Sequence, residues 1–101
     1  MRELEFHTWM NDNGITKKVQ SDIISRIKRV ERALKNCDID EEYRSDKCEY
    51  LLSLFLNMGQ NDTMQKLGEV DLPVGKYYMS TFRHAIKKYI NFYEETFISK
   101  H

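Results

Sequence analysis

One proline and four glycines in 101 residues are too few to punctuate the repeated turns of an all-β fold. Two cysteines, Cys37 and Cys48, are too few for the disulfide framework that staples small secreted domains. The start of the chain, Met1-Arg2-Glu3-Leu4-Glu5-Phe6, carries acids and lacks the apolar stretch of an export signal, so the two thiols are expected to stay reduced. His7, His84 and His101 do not add the spacing of a zinc site. No apolar run approaches the ~20 residues that cross a bilayer. Net charge is also missing, with 16 basic and 16 acidic side chains, so only the distribution of charge can argue for a nucleic-acid partner. These absences predict a cytoplasmic protein with no membrane contact, no metal and no cofactor.

What is present suits one helical domain spanning residues 1–101. Hydrophobic residues make up 41% of the chain, enough for a single core and too many for a disordered segment. The spacing predicts an all-α fold, a small bundle of four main helices with one or two short extra helical turns. Leu4, Phe6, Trp9 and Met10 mark a short first helix, stopped by Asn11-Asp12-Asn13-Gly14. Thr16 is a natural N-cap for a second helix from about Lys17 to Asn36, whose Val19, Ile23, Ile27, Val30 and Leu34 share one face. The acidic stretch from Asp38 to Arg44 reads as a loop or a short helical turn. Tyr50 to Leu56 is apolar nearly all round and is expected to be buried on several sides. Residues Asn57 to Gly75 hold the proline and three glycines, with room for a short helix near Thr63 to Leu67. A last helix from Lys76 towards Ile98 places Tyr78, Phe82, Ile86, Tyr89, Tyr93 and Phe97 on its core side.

Catalysis has little support: the chain lacks a phosphate-binding glycine loop, a nucleophile elbow and a metal-ligating histidine motif. Asp40, Glu41 and Glu42 are adjacent, which suits solvation better than acid–base work, and His84 reads as a packed or edge residue. The second helix carries the stronger signal. At 100° per residue, Lys17, Lys18, Lys28, Arg29, Arg32 and Lys35 fall opposite its apolar stripe, with Ser21 and Ser25 between them. From Lys17 to Asn36 there are seven basic and two acidic residues, an excess of five in a neutral chain. Such a face can meet successive phosphates, the serines allowing close approach. Lys76, Ser80, Arg83 and Lys87 form a weaker basic line on the last helix, and the two lines would make one surface if the helices pack side by side. The bland alternative is a solvated helix face paired with acids at four-residue spacing, or neutralised by the segment Asp38 to Glu49 folding back. Trp9 lines up with Phe6 and Met10 and reads as core, whereas Tyr43 and Tyr77 lie off the apolar stripes and are expected to be exposed.

Phe6-His7-Thr8-Trp9-Met10, a polar turn, and Gly14-Ile15-Thr16 opening a long basic helix resemble the SAM-like, or core-binding, N-terminal domain of tyrosine recombinases and phage integrases. The stretch from Tyr78 to Phe92 is similar to a segment of helical domains attached to restriction and recombination proteins. The resemblance implies a non-catalytic domain that holds DNA by its backbone, with Lys18, Arg29, Arg32, Arg83 and Lys87 at matching exposed positions. Val19 and Ile23 depart from that pattern, as does the long 57–75 segment, and no catalytic recombinase domain follows. The expected function is therefore phosphate-directed, weakly sequence-specific DNA binding. The alternative is a protein–protein interaction module, such as a small phage-type inhibitor of a nucleic-acid enzyme, with Asp38 to Glu49 mimicking phosphates.

Overall fold

The computed structural model describes residues 1–35, 37–68, 70, 72 and 76–98, with the side chains of Lys76 and Tyr77 outside that set. Among the described residues six α-helices follow in order: α1 (Glu3–Asp12), α2 (Lys17–Ala33), α3 (Ile39–Asp46), α4 (Glu49–Leu54), α5 (Asp62–Lys66) and α6 (Lys76–Tyr93). A 3₁₀ turn, Leu56–Gly59, follows α4, and a π-helical turn, Glu94–Ile98, extends α6. No strand occurs among the described residues.

Local signals set most boundaries. α1 stops at Asn13, and Gly14 takes the left-handed φ of 77° that its missing side chain permits. Thr16 caps α2 by accepting from the Val19 N–H at 3.4 Å. α2 ends at Ala33, short of the expected Asn36, which lies outside the described residues; Lys35 already has a left-handed φ of 48°. The acidic stretch is a true helix, α3, because Asp38 caps it through the Asp40 N–H. α3 and α4 meet at a corner where Lys47 and Cys48 are both left-handed. The short helix expected near Thr63 is α5, capped by Asn61.

α6 is the central element: α1 and α2 pack along it, and so does the turn after α4. Tyr89 and Phe92 of α6 are fully buried against Phe6 of α1, with ring centroids 4.9 and 5.1 Å away in edge-on and tilted pairings. Trp9 packs on Phe92 as expected and donates its indole N–H to Glu95. The expected core stripes are rotated in detail. On α2 the buried residues are Gln20, Ile23, Ile24, Ile27 and Val30, while Val19 faces solvent at 43% exposure. Gln20 tolerates burial because its amide is satisfied, pairing with His7 Nδ1 at 2.9 Å and donating to the Ile15 carbonyl at 2.7 Å. On α6 the core includes Met79 and Ala85, and Tyr78 turns outward. Across Tyr50 to Leu56, Leu51, Leu54 and Phe55 are buried while Tyr50 and Leu56 are exposed, so the segment is enclosed on one side and not all round. Tyr43, expected outside, is buried: its ring lies 4.4 Å from that of Tyr93 and its hydroxyl donates to Glu94.

A buried polar network ties the chain's start to the core. The Tyr89 hydroxyl accepts from the Arg2 N–H at 2.8 Å and donates to Asp40 Oδ1 at 2.5 Å. The Met1 ammonium lies 3.1 Å from Asp40 Oδ2 and 3.3 Å from Asp38. Burial alone would lower the pKa of that ammonium, but the hydrogen bond to Asp40 and the charges of Asp40, Glu31 and Asp38 raise it.

Both cysteines are free thiols. Burial, helped by nearby acids, pushes Cys37 and Cys48 up to about 12. Since the thiolate is the nucleophile, neither thiol should alkylate with iodoacetamide in the folded protein near neutral pH, and both should react once guanidinium unfolds it. Mass spectrometry reads this directly. The same groups set the alkaline stability. The folded chain keeps the two thiol protons to about 12 against an ordinary 9.0, and the Tyr43 proton to about 12 against 10.0. Above pH 9 the unfolded chain therefore binds fewer protons, so stability must fall as pH rises. The thermal midpoint should drop continuously through this window; a flat profile would contradict the burial of these groups.

Candidate nucleic-acid interface

The structure places Lys17, Lys18, Ser21, Ser25, Lys28, Arg29 and Arg32 on the exposed face of α2, with Lys35 exposed just beyond its end. From Lys17 to Arg32 this ridge is about 23 Å long at the helical rise of ~1.5 Å per residue. Its first turn holds Lys17 and Lys18 and no acid, whereas α1, α3, α4 and α5 each carry an acid in the first turn. Cations at a helix N-terminus oppose the macrodipole, typically at ~0.3–1 kcal/mol each. Helix stability therefore does not explain their presence.

Two of these cations have acidic partners. Lys28 meets Glu3 of α1 at 3.0 Å, and Lys18 lies 3.8 Å from Asp22 one turn along. All four side chains are roughly half exposed or more, where such pairs contribute little. Among the described residues no ion pair engages Lys17, Arg29, Arg32 or Lys35.

The acidic segment does not neutralise the ridge. Asp38 and Asp40 turn to the Met1 ammonium, and the Glu31 carboxylate accepts the Ile39 N–H at 3.0 Å. Glu42 is left among its own kind: partial burial, then Asp46, Glu41 and Asp38, hold its carboxyl above the usual range. Between Asp38 and Glu49 six acids stand against two bases, and Glu94 joins them through Tyr43. The zero net charge thus conceals a basic ridge on α2 and an acidic pole around α3.

The α6 cations sit elsewhere. Half-buried Arg83 and exposed Lys87 line a groove of about 390 Å³ with Glu49, Leu52, Ser53 and Leu56, and no α2 residue lines it. Ser80 lies on the exposed side of α6, and the Lys76 and Tyr77 side chains fall outside the described residues. The acidic pole coincides with the acidic segment Asp38 to Glu49 read from the sequence, whereas the groove and the Asp40–Tyr89 pair were not foreseen from spacing. The run Glu49, Leu52, Ser53, Leu56 at helical intervals was the available signal for the groove, masked by the apolar residues between.

Among the described residues no three histidine, cysteine, aspartate or glutamate side chains gather as metal ligands. Among them, too, no helix is long and apolar enough to cross a membrane. No protein-family model, curated protein or solved structure matches the chain.

Proposed function

We propose that this is a non-catalytic, cytoplasmic module that binds duplex DNA through the α2 ridge, holding backbone phosphates with little base reading. The carrying observation is the segregation of charge: Lys17, Arg29, Arg32 and Lys35 project without acidic partners among the described residues, although the chain contains as many acids as bases. Phosphates supply the missing counter-charge, and the small Ser21 and Ser25 side chains let a backbone approach between the cations. A clamp role of the recombinase core-binding kind agrees with this ridge. The test is fluorescence anisotropy with a labelled duplex at rising salt; a protein that shows no salt-sensitive association sinks the reading.

A second reading, a protein-binding module, draws on the acidic pole, where Glu42 lies against Asp46, Glu41 and Asp38. A basic protein surface would relieve that repulsion. Replacing Glu41 and Glu42 by lysine should abolish such an interaction while leaving duplex binding intact.

A further inference from the structure

The groove between α4 and α6 has a different chemistry from the α2 ridge. Glu49, Leu52, Ser53 and Leu56 follow one another at i, i+3, i+4 and i+7, so one stripe of α4 and its following turn forms one wall. Leu52 is half-buried, and Leu56 is 52% exposed. Arg83 and Lys87, one turn apart on α6, form the other wall. Neither has an acidic partner among the described residues. Glu49, the one acid among the described residues that line the groove, lies at the start of the α4 stripe.

Leu56 is held outward by its surroundings. Asn61 donates to the Leu54 and Leu56 carbonyls at 3.1 and 2.8 Å, and Asn57 donates to the Gln60 carbonyl at 2.9 Å. Asn57 and Met58 are both left-handed, at φ 52° and 58°, a conformation that non-glycine residues adopt only under constraint. The turn therefore presents Leu56 in a fixed place, and Met58 beside it is also exposed.

Two exposed or half-buried leucines on one wall, with two cations opposite that make no ion pair among the described residues, suit a ligand that is itself apolar on one side and anionic on the other. A phosphate backbone would gain from Arg83 and Lys87 but would find no donor at Leu52 or Leu56. A helix with leucine-type side chains at i and i+3 or i+4, flanked by glutamates, satisfies both walls. We propose that this groove docks an amphipathic acidic helix of a partner protein, its apolar face on Leu52 and Leu56 and its carboxylates on Arg83 and Lys87. The site is independent of the α2 ridge, so the protein would hold DNA and a protein partner on separate surfaces.

The experiment uses the whole chain and two labelled synthetic helical peptides. One carries leucines at i, i+3, i+4 and i+7 with glutamates along one flank; the other has lysine at each glutamate. The glutamate peptide should bind and the lysine peptide should not. Arg83→Glu combined with Lys87→Glu should weaken the glutamate peptide at least ~10-fold and confer binding of the lysine peptide, as reversal of both sides of a charge pair requires. Leu56→Ser, at an exposed position, should weaken both pairings, and circular dichroism checks that each variant remains folded. Duplex affinity should change less than ~3-fold in all of them, because the α2 contacts are untouched. Failure of the wild-type chain to bind the glutamate peptide overturns the proposal, as does equal binding by the charge-reversed variant. Loss of duplex binding with peptide binding kept would assign Arg83 and Lys87 to DNA instead. Self-association that depends on these residues, without peptide binding, would assign the groove to a second copy.

Discussion

Replacing Arg29 and Arg32 by glutamate is expected to lower affinity for a DNA duplex by about 10- to 100-fold at low salt, because two phosphate contacts become two repulsions. If Lys17, Arg29, Arg32 and Lys35 each displace a counterion, log K against log salt should fall with a slope of about −3 to −4. The double variant should retain about half that slope, so the difference in affinity should narrow as salt rises. Both arginines are exposed, and neither makes an ion pair among the described residues, so stability should barely change. Glu41→Lys with Glu42→Lys is the matched control: it alters the same number of charges on the acidic pole and should not weaken the duplex. Equal losses from both pairs would show that only the overall field matters, and the ridge would lose its role.

The second large effect is on stability. Asp40 is 8% exposed, and its carboxylate accepts from the Tyr89 hydroxyl on one oxygen and from the Met1 ammonium on the other. Asp40→Ala leaves the buried Tyr89 hydroxyl without its acceptor and the part-buried Met1 ammonium with Asp38 alone, and should cost about 2 kcal/mol. Tyr89→Phe keeps the ring packing against Phe6 and Phe92 but strips a donor from Asp40 and an acceptor from the Arg2 N–H, at a cost of about 2 kcal/mol. The two changes share one hydrogen bond, so the double variant should be less destabilised than the sum, by at least ~1 kcal/mol. Urea unfolding measures all three, and the denaturant slopes should stay unchanged if only the folded state is altered. Strict additivity would mean that the contact contributes nothing.

The α2 ridge and the Asp40 network differ in how far the sequence revealed them. Cations at Lys17, Lys28 and Arg32 repeat at helical spacing within one segment, so their common face follows from the 3.6-residue turn alone. That Lys17 and Arg32 would make no ion pair among the described residues, while Lys28 meets Glu3, did not follow. That depended on where the acids of α3 went, and Asp38 and Asp40 went to the Met1 ammonium, 37 and 39 positions away. No periodicity encodes such a pairing.

Elements whose signal is local could be read before folding: the Thr16 cap, the Gly14 stop, the long amphipathic stretches of α2 and α6, and hence the all-α class. Backbone hydrogen bonding and side-chain spacing act within a turn or two, so the chain itself carries that information. The tertiary structure decided which side of each stripe is innermost. Gln20 entered and Val19 left because His7 and the Ile15 carbonyl could satisfy an amide there, and Tyr43 was covered by Tyr93 and Glu94 from the far end of α6. Burial of a polar group is settled by the partner that reaches it, and that partner is brought by packing rather than by sequence neighbourhood.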